Sequence, residues 1–318
     1  MARYAKVSTI GAPLISVDET LSFDEAIKAI EETLMSKIKP VLPDKPDLIL
    51  MPEMCDVPIN YNLQQREAFL KHRGGSHIRF FGKIAKENHC NIGFCTYRYG
   101  ASDYTLNTMY VLDREGNIAG RYNKNHIVMP LERDQNVRGG VDTPIIQLDI
   151  GRIACIICFD LNFDTTREAY KAQKPEIILF SSMYHGGIVQ QFWAQSCRAF
   201  FIGAISNSYP SAVISPMGET LAYSTNYTPY ATTTINLDYA LAHHDYNTEK
   251  FVALKEKYGT RVTFFEPGNI GYVQITSECP DISVSEMVKE FEITLLDDYL
   301  DGALAAQKLP QNCGAVSE

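Results

Sequence analysis

The chain has no surplus of basic residues: 29 Lys and Arg stand against 38 Asp and Glu, a net charge of −9 with a pI near 5.3. Nucleic acid and anionic membranes reward basic patches, so neither is expected as a main partner. Long apolar runs are missing too. No uninterrupted stretch approaches the roughly 18 residues of a membrane span, and the start Met1-Ala-Arg-Tyr-Ala-Lys6 has no apolar leader core. A cytoplasmic location is the expectation. The eight cysteines (Cys55, Cys90, Cys95, Cys155, Cys158, Cys197, Cys279, Cys313) lack the regular loop spacing of a small secreted disulfide framework. Free thiols in a reducing compartment fit them better. No repeat is visible at the level of residues.

What is present suffices for a full core: 318 residues, 45% apolar and 21% charged, most economically one large α/β domain. The capping box Ser22-Phe-Asp-Glu25 and apolar residues at helical spacing (Phe23, Ile27, Ile30, Leu34, Ile38) predict a helix over 23–38, stopped by Pro40. Asp47-Leu-Ile-Leu-Met51, between Pro46 and Pro52, reads as a strand buried on both faces. A helix over 76–89 and strands over 91–98, 107–113 and 118–122 follow. The alternation then resumes: strands at 144–149 and 152–158, a helix opening at the capping box Thr165-Thr-Arg-Glu168, and a strand at 176–180. A helix near 188–198 leads to strands at 200–206, 212–215, 219–223 and 231–237. Such a series implies two sheets between helical layers, with a site at strand ends. Beyond about 239 the strand rhythm weakens. Residues 281–318 hold eight acidic side chains against Lys289 and Lys308, so that stretch carries −6 of the −9. Its capping box Ser283-Val-Ser-Glu286 and the spacing of Met287, Phe291, Leu295 and Leu296 predict an amphipathic helix, which could cover its own core or meet a neighbouring subunit.

Three strand ends deliver reactive groups. Gly151-Arg-Ile-Ala-Cys-Ile-Ile-Cys158 brings a thiol, Leu48-Ile-Leu-Met-Pro-Glu53 a carboxylate, and Gly120-Arg-Tyr-Asn-Lys124 an ammonium. A thiol attacks an amide carbonyl efficiently only as the thiolate, so it needs a base or a nearby cation. Glu53 can take the proton and return it to the departing amine, while Lys124 offsets charge on the carbonyl oxygen. Two rival readings exist. Cys155-Ile-Ile-Cys158 has the spacing of a redox or zinc pair, but residues three apart on a strand point to opposite faces and no second cysteine pair stands at ligand spacing. A Cys/His protease would use His126 or His185, but the glycine-rich surroundings of a papain-like cysteine are absent and the Glu/Lys pair would go unexplained. Trp193 reads as core.

Pro52-Glu53, Tyr122-Asn-Lys124 and Cys158-Phe-Asp160, in this order, resemble the motifs of the carbon–nitrogen hydrolase, or nitrilase, superfamily. Cys197-Arg-Ala-Phe-Phe-Ile-Gly-Ala-Ile-Ser-Asn207 resembles that family's helix-to-strand passage, and the resemblance extends from about residue 4 to 237. It implies a four-layer α-β-β-α sandwich over 1–240, with 241–318 as a C-terminal extension forming a possible subunit contact. It further implies no metal or organic cofactor and a homo-oligomer, dimer or larger. The second glutamate of many members would be Glu132, holding Lys124 and positioning substrate. Tyr61, Met129, Phe159, Tyr184 and His185 are expected to shape the pocket. Phe159-Asp160 stands where true nitrilases usually have Trp-Glu, which disfavours nitriles. Leu161-Asn162 replaces the paired arginines of N-carbamoyl-D-amino acid hydrolases, leaving Arg167 or Arg198 to meet a free carboxylate. The expected activity is cleavage of a small amide or ω-amide to acid and ammonia. An N-carbamoyl amine substrate, or a catalytically idle scaffold role, remains the alternative.

Overall fold

The computed structural model describes residues 1–99, 104–206, 210–309 and 312, so Asn207, Cys313 and Glu318 lie outside the described residues. The chain forms two compact units, one of Ala5–Ile235 and one of Met1–Tyr4 with Asn236–Glu318.

The larger unit is built on two six-stranded sheets. The first contains β1 (Tyr4–Ile10), β2 (Leu48–Leu50), β3 (Asn91–Tyr99), β4 (Thr105–Leu112) and β5 (Ile118–Asn123). The second contains β6 (Ile146–Leu148), β7 (Gly151–Ile157), β8 (Ile177–Ser182), β9 (Phe200–Ile205), β10 (Ala212–Ile214) and β11 (Thr220–Tyr223), while β12 (Tyr230–Asn236) returns to the edge of the first. The orders are β12-β1-β2-β3-β4-β5 and β11-β10-β9-β8-β7-β6. At the centre of each, three strands run parallel: β1, β2 and β3 in one, β7, β8 and β9 in the other. Buried on both faces, these strands read as the continuous apolar runs seen in the sequence.

The sheets meet face to face closely enough to require glycine: a Cβ on Gly93 would come within 2.9 Å of Leu50 Cδ1 and 3.2 Å of Leu179 Cδ1. Helices cover both outer faces. On the first sheet lie α1 (Phe23–Ile38), α2 (Leu63–Arg73) and α3 (Ser76–Asn88), with Ile30, Leu34, Phe81 and Ile84 packed against Ile49, Ile92 and Phe94. Between the sheets in sequence sits the short α4 (Leu131–Asp134). On the second sheet, Tyr170 of α5 (Asp164–Gln173) and Trp193 of α6 (Val189–Cys197) pack on Ile156, Ile178 and Phe201. Each fully buried side chain of this kind contributes about 1.5–3 kcal/mol. The result is the four-layer α-β-β-α sandwich.

The capping box at Ser22 and Glu25 forms, and α1 has the bounds its periodicity sets. The one expected at Thr165 and Glu168 does not: α5 starts at Asp164 with Phe163 before it and no side-chain cap, and Glu168 is engaged by Arg167. The short α2 had no sequence counterpart, because only Phe69, Leu70 and Arg73 are buried on it.

The smaller unit contains β13 (Tyr239–His243), α7 (Thr248–Tyr258), β14 (Val262–Phe265), β15 (Tyr272–Ser277), α8 (Val284–Glu290) and α9 (Leu296–Gln307). Its antiparallel sheet has the order β13-β15-β14, and Leu254, Val262, Val273, Ile275, Val284 and Met287 form its own core. The single amphipathic helix expected from residue 283 is in fact two. The capping box at Ser283 forms, but Glu292 adopts a left-handed φ of 50° and Ile293 turns inward to the core. No helix among the described residues is long and apolar enough to cross a membrane.

Candidate active site

Strand β2 ends one turn short of Glu53, and the intervening backbone is pinned from both sheets. Met51 N–H donates to Gly93 O at 2.8 Å, and Ser181 Oγ donates to Met51 O at 2.7 Å. The Glu53 side chain is 2% exposed and fully engaged. Its Oε1 accepts from Asn107 Nδ2 at 2.8 Å and its Oε2 from the Met183 backbone N–H at 3.0 Å. Asn107 is oriented in turn by the Cys95 thiol, which donates to its Oδ1 at 3.1 Å. With the amide oxygen so occupied, the amide nitrogen faces the carboxylate.

Lys124 follows β5, its backbone N–H donating to Asn107 O at 2.9 Å. Its Nζ lies 3.0 Å from each Glu132 oxygen and 3.4 Å from Glu53 Oε1. Glu132 is held on α4 by the Val128 backbone N–H, 2.5 Å from its Oε2. One ammonium therefore bridges two buried carboxylates. Burial alone would depress the Lys124 ammonium, but Glu53, Cys158 and Glu132 outweigh it and hold the group above the usual lysine range.

Cys158 begins the 3-10 turn Cys158–Asn162 at the end of β7, with a φ of +49°. A non-glycine residue in this region costs about 1–2 kcal/mol, so the surroundings must hold it there. Asp160, fully buried, does much of this. Its Oδ2 accepts from Ile157 N–H at 3.2 Å and from Tyr122 Oη at 2.8 Å; its Oδ1 accepts from the Asn125 and His126 backbones at 3.1 and 2.8 Å and from His126 Nδ1 at 2.9 Å. Trp193, fully buried as expected of core, adds Nε1–H to Leu161 O at 2.8 Å. Burial, reinforced by the Glu53 charge and opposed by Lys124 and a Ser182 hydrogen bond, pushes the Cys158 thiol up to about 12. At neutral pH the resting sulfur is therefore a thiol.

Glu53, Lys124, Glu132 and Cys158 line one cavity of about 310 Å³, the lower end of the range for small-molecule sites. Of the five residues expected to shape it, Tyr61 lines the wall. The Met129 side chain is largely exposed, and the Phe159 ring packs edge-on to Phe163 with centroids 5.2 Å apart. Tyr184 Oη donates to Asn162 Oδ1 at 3.1 Å. Burial chiefly, and the adjacent Cys158 in smaller part, push its hydroxyl up, which places it near the thiol though not on the cavity wall. His185 opens on a different cavity of about 290 Å³ with Gln190, Pro210 and Tyr223, and Gly186 and Gly187 follow it at φ 78° and 56°. The remaining wall comes from residues the sequence did not single out, among them Met54, Ile59, Arg66, Tyr97, Leu131 and Gln135. Arg167, one of two expected carboxylate partners, is spent on Asp164, Glu168 and Ser196, and Arg198 donates to Gln195 O; neither lines this cavity. Cys155 is fully buried inside β7, and among the described residues no three His, Cys, Asp or Glu side chains are grouped to hold a metal.

The carbon–nitrogen hydrolase family model matches residues 6–242. The 2-oxoglutaramate amidase of Bacillus subtilis (strain 168) is 24% identical over 138 residues, 43% of this chain and 52% of the relative. The beta-ureidopropionase of Arabidopsis thaliana is 23% identical over 217 residues, 64% of this chain and 51% of the relative. The chain thus spans about half the length of these curated relatives. Among solved structures, the C. elegans NitFhit protein superposes with a TM-score of 0.65 at 13% identity, covering 92% of this chain and 98% of that one. An amidase from Nesterenkonia sp. gives 0.59 at 14% identity, covering 80% and 96%. At these identities the structural likeness establishes the fold.

Proposed function

Because the chain belongs to the carbon–nitrogen hydrolase family, we propose that it cleaves a small linear amide, ω-amides included, to acid and ammonia through a thioester on Cys158. The observation that carries this reading is the convergence of Glu53, Lys124, Glu132 and Cys158 on one 310 Å³ cavity.

As the Cys158 sulfur attacks the amide carbon, Glu53 takes the thiol proton, a C–S bond forms and the carbonyl π pair moves to oxygen. Lys124, held protonated by its two carboxylates, offsets the charge on that oxygen. Collapse breaks the C–N bond, and Glu53 returns the proton to the departing nitrogen so that ammonia leaves. A water then attacks the thioester, giving its proton to Glu53. The C–S bond breaks, the acid departs and the thiol is restored. Glu53 is poised for both transfers because Asn107 and the Met183 backbone fix its two oxygens. In a Glu-to-Gln mutant of an amidase from Nesterenkonia sp. AN1 with the same fold, acrylamide adds to the active-site cysteine, which supports reading Cys158 as a reactive thiol.

The test measures ammonia and carbon dioxide from wild type and Cys158→Ala on small amides, ω-amides, N-carbamoyl amines and nitriles. Ammonia without carbon dioxide, lost in the variant, is the expected result. Both gases would identify an N-carbamoyl amine hydrolase, and activity surviving in Cys158→Ala would refute the thioester route.

A further inference from the structure

The cavity wall contains a second cation that the proposed chemistry does not use. Arg66 lies on α2, a helix of weak amphipathic pattern, and its guanidinium stands 5.1 Å over the Tyr97 ring while NH1 donates to Gln135 Oε1 at 2.8 Å. Lys124 is shared between Glu53 and Glu132, whereas no described carboxylate pairs with Arg66; its recorded side-chain acceptor is a neutral amide. Gln135 takes one of five guanidinium N–H donors.

The charge balance of the wall gives this a direction. Glu53, Lys124 and Glu132 sum to −1, with Cys158 a neutral thiol, and that set alone would repel an anionic substrate. Arg66 brings the wall to zero and supplies the planar fork that suits a carboxylate. Holding Glu132 does not account for it, since Glu132 is already bound by Lys124 and the Val128 backbone. We propose that Arg66 binds a carboxylate carried by the substrate at the end remote from the scissile C–N bond. Neutral amides are then the poorer ligands. Gln135 and the Tyr97 ring restrict the guanidinium, so less rotamer freedom is lost on binding. The apolar Ile59 and Leu131 suit a short methylene spacer between the two polar ends.

This inference rests on the hydrolase reading for the identity of the other end, and a binding measurement separates the two. In Cys158→Ala protein, calorimetry compares succinamate with butyramide, and N-carbamoyl-β-alanine with N-propylurea. Within each pair only the carboxylate differs. At least one acid is expected to bind about 10- to 100-fold tighter than its neutral partner, the range for a charge-assisted pair at a partly buried site. Which acid does so distinguishes an ω-amide from an N-carbamoyl substrate. Adding Arg66→Gln should reduce that ratio to about one, while Gln135→Ala, which keeps the charge, should retain most of it. Equal affinities within both pairs, a ratio that survives Arg66→Gln, or no binding of any of the four overturns the proposal. So does an equal weakening of acid and neutral ligand by Arg66→Gln and Gln135→Ala, the signature of a residue that merely anchors the segment after α4. Selective acid binding lost in Arg66→Gln, in a wild type that releases no ammonia, would keep this inference and refute the hydrolase reading.

Discussion

Replacing Glu53 by Gln should make Cys158 more reactive toward an alkylating agent while stopping amide turnover. The two effects separate because Glu53 would act on the thiol in two ways. In the proposed mechanism it is the base that accepts the proton during attack; as a charge it opposes forming the thiolate beforehand. With the thiol pushed up to about 12, the thiolate fraction at pH 7.5 is roughly 3 in 100,000. One unit charge a few Å away, at an effective dielectric of about 20, is worth roughly two pKa units. Glu53→Gln keeps the side-chain shape and leaves Lys124 still favouring the thiolate, whose population therefore rises about 100-fold. A less basic thiolate is a weaker nucleophile, with a Brønsted slope near 0.5, so the net gain in alkylation is about tenfold. Loss of the base should meanwhile lower turnover about 10²- to 10⁴-fold. Iodoacetamide labelling at pH 7.5, followed by intact mass with Cys158→Ala as the blank, reads the first effect, and ammonia release the second. Slower labelling in Glu53→Gln would refute the reasoning, because it would mean that Glu53 already holds the thiol proton in the resting protein.

Three further outcomes follow from buried charge. Lys124→Met leaves two buried carboxylates without their shared cation and should lose about 3–5 kcal/mol in urea unfolding, part of which a second change, Glu132→Gln, restores. Arg73→Leu strands the fully buried Asp56, 2.5 Å from Arg73 NH1, and should cost a similar amount, about 3–5 kcal/mol. Burial pushes the Asp56 carboxyl up, but Arg73 and His77 more than reverse this, so its contribution is present above its usual value of 3.8 and lost as pH falls through the lower folded value. Arg73→Leu should abolish that acid-side loss in a urea series run from pH 6 to 3. For Cys158 the sign is opposite. Its folded value is raised from 9.0 to about 12, so its contribution is complete below pH 9 and lost as pH rises from there. Cys158→Ala should decline less steeply over that window, by up to about 1.4 kcal/mol per pH unit, in urea midpoints measured from pH 8 to 11.

Glu53 and Cys158 were legible because β2 and β7 are buried almost throughout, and an apolar run that ends abruptly in a carboxylate or a thiol has little other use for it; Lys124 follows the largely exposed β5 and was legible only from the Tyr122-Asn-Lys124 motif. Helix α1 was legible because cap, periodicity and Pro40 agree. The cavity wall was not. Arg66 sits on a helix with three buried residues, too few to mark a face, although Asn62 and Gln65 form a capping box that could have announced it. Asn107 lies in a strand whose eight residues are all buried, and a polar amide in such a run was the available signal of a side-chain partner. His185 follows β8 closely in sequence but lies in an irregular turn with two left-handed glycines after it, and no periodicity encodes which cavity such a residue meets. In the smaller unit, β14 spans four residues of mixed exposure, too short for alternation to stand out.

The Asp160 carboxylate gathers donors from β5, from the residues after Lys124 and from Ile157 at the end of β7, so strands of two different sheets share one fixed point. Much of the wall that would sort substrates lies instead on Pro58, Ile59, Tyr61, Arg66, Leu131 and Gln135, outside that tie. Most of what would select a substrate is thereby exchangeable apart from the groups that would react. A lineage, or an engineer, can rewrite residues 58–66, Leu131 and Gln135 to change what enters the cavity, provided Glu132 stays to hold Lys124.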